Sequence, residues 1–140
     1  MNKIKTIFAI IVIFLAIGFT SKSHSQSSPV LYFCESYGSN GEVSISDRFY
    51  TGYLTIMVKA DTPLGLTDVS IQFDKYNCST GTFGFYKKFT YVIKPDMKYI
   101  YFEKNDQSDL NFEKAGIYRV FLLNSTGGTV ASGLIEIINR

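Results

Sequence analysis

From Val30 onward, apolar and polar residues alternate with period two, and no segment holds a 3.6-residue period for three turns. VLYFCESY, Val30 to Tyr37, is rich in strand-forming residues and ends at Gly38-Ser39-Asn40-Gly41, where Asn-Gly signals a hairpin; Glu42 to Ser46 is a short return. YLTIMVKA, Tyr53 to Ala60, sets Leu54, Ile56 and Val58 on one face and Thr55, Met57 and Lys59 on the other. After a turn at Asp61 to Gly65, DVSIQFDKY (Asp68 to Tyr76) directs Val69, Ile71 and Phe73 inward. Phe83 to Lys94 forms a long aromatic strand with Phe89, Tyr91 and Ile93 on one parity. Pro95-Asp96 breaks it, and Met97 to Lys104 resumes with Ile100 and Phe102 opposite Tyr99 and Tyr101. Tyr118, Val120 and Leu122 share a face of the next strand. A turn at Asn124 to Gly128 leads into Thr129 to Ile138, with Ile135 and Ile137 inward. Seven or eight antiparallel strands punctuated in this way predict an all-β sandwich.

The first 25 residues break the pattern. Lys3 and Lys5 precede an apolar run from Ile7 to Phe19, and small residues follow at Ser23 and Ser25, the layout of a cleaved secretory signal peptide. Thirteen apolar residues fall short of the roughly 20 that span a bilayer. Cys34 stands too far beyond that run, behind Tyr32 and Phe33, to be a lipid attachment site. The expected organisation is a signal peptide at 1–25, a short leader at 26–29 and one sandwich domain at 30–140, with no membrane span after cleavage. The Lys-, Ile- and Asn-rich signal has a bacterial character. Localisation is expected to be secreted or periplasmic.

Cleavage changes the charge. Residues 26–140 hold 11 basic and 12 acidic side chains, a net charge of −1, against +2 for the whole chain. Nucleic-acid binding loses its electrostatic support.

The one histidine, His24, lies within the signal. The remaining chain is therefore expected to lack Ser-His-Asp and Cys-His nucleophiles and any His-containing metal site. No phosphate-binding glycine motif is present, and Asp68 and Asp74 alternate with core residues and read as the solvent side of a strand. No catalytic residue, metal ligand or cofactor is expected, and the protein is read as a non-enzyme. The loop Asp106 to Asn111 lacks the spacing of a calcium loop. Cys34 and Cys78 are either a disulfide closing a loop of about 45 residues or two unbridged thiols; spacing leaves both open.

Gly116-Ile117-Tyr118 resembles the "tyrosine corner" of immunoglobulin-like and fibronectin type III-like sandwiches, where a Tyr at the start of the sixth strand turns its hydroxyl back onto the preceding loop. That resemblance implies a structural role for Gly116 and Tyr118. Antibody-type domains place a Cys two residues after the Tyr; here it is Val120, so their core disulfide is not expected. Gly-x-Tyr-x-Val followed by a Gly turn and a closing strand is also similar to the sorting domains of type IX-secreted bacterial proteins. This chain closes with Ile137-Ile138-Asn139-Arg140 rather than with lysines.

Two sets of residues are candidates for binding. TFGFYKK, Thr82 to Lys88, concentrates Phe83, Phe85 and Tyr86 beside Lys87 and Lys88, a composition suited to stacking on a sugar or anchoring a protein. The alternative, favoured by the alternation, is that Phe83 and Phe85 continue the core parity of Phe89. Tyr99 and Tyr101 form the second set, an aromatic row opposite Ile100 and Phe102. Against it, tyrosine suits any half-buried strand. Together these features describe an exported, non-catalytic interaction module that takes a protein partner or a glycan in the cell envelope or outside the cell. A carbohydrate-binding module using Tyr and Phe is the alternative, and a sorting-domain-like sandwich the second.

Overall fold

A computed structural model describes residues 28–105 and 108–140. The proposed signal peptide and the first residues of the leader lie outside these, as do Asp106 and Gln107. The described residues form twelve strands: β1 Val30–Cys34, β2 Ser36–Gly38, β3 Gly41–Val43, β4 Arg48–Tyr50, β5 Gly52–Tyr53, β6 Thr55–Lys59, β7 Asp68–Asn77, β8 Thr82–Val92, β9 Tyr99–Phe102, β10 Asn111–Phe112, β11 Gly116–Asn124 and β12 Thr129–Ile138.

Two sheets carry the fold. The larger has the order β4-β12-β11-β7-β8 and the smaller β1-β6-β9; two short ladders, β2-β3 and β5-β10, stand beside them. Every pairing is antiparallel except β4 with β12. In the strand nomenclature of antibody domains, β1-β6-β9 occupies the places of strands A, B and E, and β12-β11-β7-β8 those of G, F, C and C′. The fold is immunoglobulin-like.

Alternation builds the core as the sequence predicts. Leu31, Phe33, Ile56, Val58, Ile100 and Phe102 point inward from the small sheet to meet Val69, Ile71, Phe73, Val120, Leu122, Ile135 and Ile137 from the large one. Each such side chain, fully buried, stabilises the fold by about 1.5–3 kcal/mol. Phe112 joins them from the short β10 and meets Phe73 and Tyr118 edge-on, both at 5.3 Å. The Tyr118 hydroxyl then donates to the Lys114 carbonyl at 2.6 Å, tying the start of β11 to the loop before it.

The structure departs from the sequence pattern in three places. Val30 to Tyr37 is two strands, because the Glu35 amide turns to bond the Val43 carbonyl and the chain leaves the sheet as the β2–β3 hairpin. Second, β4 and β10 are strands that the pattern does not mark, being too short to show a period. Third, β8 contains a bulge: Phe73 pairs with Lys87 but Asp74 pairs with Phe85, so Tyr86 has no opposite number. One extra residue inverts the facing of everything before it.

Candidate interaction surfaces

The two long sides of the sandwich differ. On one, β1 crosses β12 so closely that a Cβ built on Gly133 would lie 3.0 Å from the Leu31 carbonyl oxygen. Backbone meets backbone, and the sheets are shut together there. On the other side β8 and β9 do not pair, and a cleft of about 540 Å³ opens between them. Tyr91, Ile93, Met97, Ile100 and Phe102 line it, with Val92 and Tyr101 exposed at its rim. One end is closed by Tyr91, whose ring packs on Phe102 at 4.8 Å and whose hydroxyl donates to Ser108 Oγ at 2.7 Å.

The bulge divides the Thr82 to Lys88 candidates between two faces. Phe83 and Phe85 face outward, correcting the expectation that they share Phe89's core parity; Phe85 is 68% exposed. Tyr86 turns inward, edge-on to Tyr118 at 5.5 Å. Lys87 also turns inward, its Nζ lying 5.3 to 5.8 Å from the rings of Phe73, Tyr86, Phe89 and Phe112. It donates to the carbonyls of Asp109 and Asn111, clipping the loop before β10 onto β8. Burial pulls its pKa down, while Asp109 and Glu113 push the other way. Lys88 is exposed on the outer face, opposite Gln72.

Phe83 belongs to an outer-face cluster that the sequence reading overlooked. The Arg119 guanidinium sits over Phe83 at 4.6 Å and over Phe121 at 4.8 Å, and reaches Asp74 at 3.3 Å. Asp74 is thus on the solvent side of β7, as expected, yet roofed over and 9% exposed. Ile117 and Leu134, both exposed, continue this face toward the Arg48–Glu136 ion pair at 2.6 Å. The signal was available in the sequence: Ile117, Arg119 and Phe121 occupy the parity opposite Tyr118, Val120 and Leu122.

Tyr99 and Tyr101 face outward from the small sheet, opposite the buried Ile100 and Phe102. The β2–β3 hairpin packs against both, leaving Tyr99 half-buried and Tyr101 exposed. Tyr37 stacks on Tyr101 at 4.4 Å and meets Tyr99 edge-on at 5.9 Å. Beneath lies Met57, flanked in register by Tyr32 and Tyr101 and fully buried, although its parity predicts the outer face. Glu42 anchors the hairpin by accepting from the Tyr32 hydroxyl at 2.5 Å. The Tyr32 and Tyr99 hydroxyls hold the Glu42 carboxyl down at about 2. Burial, then Glu42, pushes Tyr32 up to about 12, and Tyr99 rises for the same reasons.

Cys34 and Cys78 are both free, the first buried on β1 and the second exposed in the β7–β8 turn, so the disulfide left open by the sequence is not formed. The Cys34 thiol donates to the Ser36 carbonyl at 3.3 Å, and burial raises its pKa. Gly116 has φ +144°, and a Cβ there would fall 2.8 Å from Lys75 Cε. Among the described residues, no three His, Cys, Asp or Glu side chains converge to hold a metal ion. None of the described residues forms a helix long and apolar enough to cross a membrane.

No family model matches the chain, and no curated protein matches it. Among solved structures, the chain is similar to one described as an immunoglobulin-like protein from Pseudomonas aeruginosa. The identity is 11%, over 81% of this chain and 99% of that one, with a TM-score of 0.43. The strand order and the Tyr118 corner make the fold immunoglobulin-like without recourse to this likeness.

Proposed function

We propose that this protein is an exported, non-catalytic interaction module that binds a protein partner in the cell envelope or extracellular space. Export is supported by the charged and apolar pattern of residues 1–25. The observation that carries the binding role is the asymmetry of the sandwich. One side is shut where β1 crosses β12, and the other offers an apolar cleft between two unpaired strand edges. Exposed edges of this kind are where proteins accept a partner's chain.

A protein partner is favoured over a glycan because the flat faces a sugar would stack on are already used. Tyr37 stacks on one face of Tyr101, Tyr99 is engaged with Tyr37 and the Tyr32–Glu42 pair, and Tyr86 is turned into the domain. Phe85 is the candidate aromatic left most open. Crosslinking of the tagged protein in its producing cells, followed by mass spectrometry, tests the choice alongside retention on a polysaccharide panel. A dominant protein adduct is the expected result. Retention on a polysaccharide that Phe85→Ala abolishes, with no protein adduct, would replace this reading with carbohydrate binding.

A further inference from the structure

Three features of the open side converge on β9. The first is backbone geometry. The Ala60 amide donates to the Lys98 carbonyl at 2.7 Å, which makes Val58–Ile100 and Ile56–Phe102 the hydrogen-bonded pairs of the β6–β9 ladder. The intervening residues, Tyr99 and Tyr101, therefore direct their backbone N–H and C=O groups away from β6. No described strand pairs with β9 on that side.

The second feature is the cleft, whose floor of Ile93, Met97 and Ile100 lies where the inward side chains of an added strand would project. The third is charge. From Tyr91 to Phe102, the stretch that lines the cleft, the charged residues are Lys94 and Lys98 against Asp96, a net +1 within a 26–140 region whose net charge is −1. Lys94 and Lys98 are both exposed beside the cleft.

The competing edge, β8, is guarded. The bulge at Tyr86, the inward-pointing Lys87 and the outward Lys88 are devices that discourage strand addition, and β9 has none of them within its span.

We propose that the free edge of β9 takes an extended segment of a partner protein, alternating apolar and acidic residues, as a fourth strand of the small sheet. The inference rests on the reading of this protein as a module that binds another protein. Alternate apolar side chains enter the cleft over Ile93 and Ile100, and the acidic ones bring to this edge a charge opposite to that of Lys94 and Lys98, both exposed beside it.

The test is NMR titration of the isotopically labelled protein, recovered from the cells that make it, with a blocked octapeptide alternating Val and Glu. A Val–Lys octapeptide serves as the control. Shifts are expected at Tyr91 to Lys94 and Met97 to Lys104, with the Tyr99 and Tyr101 amides gaining protection from exchange. Binding of the Val–Lys peptide should be at least about tenfold weaker, and the preference should reverse in the Lys94→Glu/Lys98→Glu variant, which changes only exposed side chains. Equal binding of both peptides, or shifts confined to the Phe83–Phe121 face, would overturn the proposal. Amides of Tyr99 and Tyr101 already protected in a protein that sediments as a dimer would overturn it too, giving the edge to a second copy. No binding, alongside a protein adduct from another surface in cells, would sink this inference while leaving the wider function standing.

Discussion

Gly133 on β12 and Leu31 on β1 bring the two sheets together so closely that a Cβ on Gly133 would lie 3.0 Å from the Leu31 carbonyl oxygen. The Leu31 and Phe33 side chains crowd the same point at 3.1 and 3.3 Å. Gly133→Ala must therefore shift the Leu31 backbone by a few tenths of an ångström, since a carbonyl cannot rotate away. The expected cost is about 1–3 kcal/mol, read as a lowered Tm by circular dichroism. An unchanged Tm would show that this side is less tightly shut than the distances indicate.

Tyr118→Phe removes the hydroxyl that donates to Lys114 and leaves the ring against Phe112 and Tyr86. A loss of about 0.5–1.5 kcal/mol is expected in chemical denaturation, with partner binding intact. Gly116→Ala strains a left-handed backbone and meets Lys75, so it should destabilise the same corner. Loss of binding without loss of stability would move Tyr118 from scaffold to site.

The bulge makes neighbours unequal. Phe85→Ser, on the outer face, should change stability by less than about 0.5 kcal/mol, whereas Tyr86→Ala should cost about 1–3 kcal/mol. Matching losses in the two variants would mean that β8 runs without a bulge.

The hairpin over the tyrosine face should respond to pH at both ends. Glu42 titrates lower in the folded protein than its ordinary 4.5, so its contribution is present above pH 4.5 and is lost as pH falls toward 2. Tyr32 is raised from 10 to about 12, so its contribution holds below pH 10 and is lost as pH rises toward 12. Glu42→Gln should flatten the acid limb of a denaturation midpoint against pH between 4.5 and 2, with ring shifts of Tyr37 and Tyr101 reporting hairpin release. An unaltered acid limb would detach Glu42 from the docking of the hairpin.

Most of the core was legible because period-two alternation is a direct image of a strand with one buried face. Val69, Ile71 and Phe73 stand where their parity puts them, as do Tyr118, Val120 and Leu122. Parity failed where the chain broke its own period. Nothing in TFGFYKK announces that Tyr86 is unpaired, because a bulge is decided by the partner strand's register. Met57 lies on the face its parity gives it, yet is buried, which parity does not foretell: a sheet face meets solvent only until another piece of chain covers it, and the β2–β3 hairpin is that piece. The cleft was invisible in the sequence, since it depends on β8 and β9 belonging to different sheets.

Whether a protein partner sits on the open side of the sandwich is tested in the producing cells by a photo-crosslinking side chain placed at Val92, and separately at Ser132 beside Gly133. Both positions are exposed, so neither insertion disturbs the core. An adduct of defined mass from Val92 and none from Ser132 is the expected result. An adduct from Ser132 with Val92 silent would place the partner elsewhere and contradict binding at the open side.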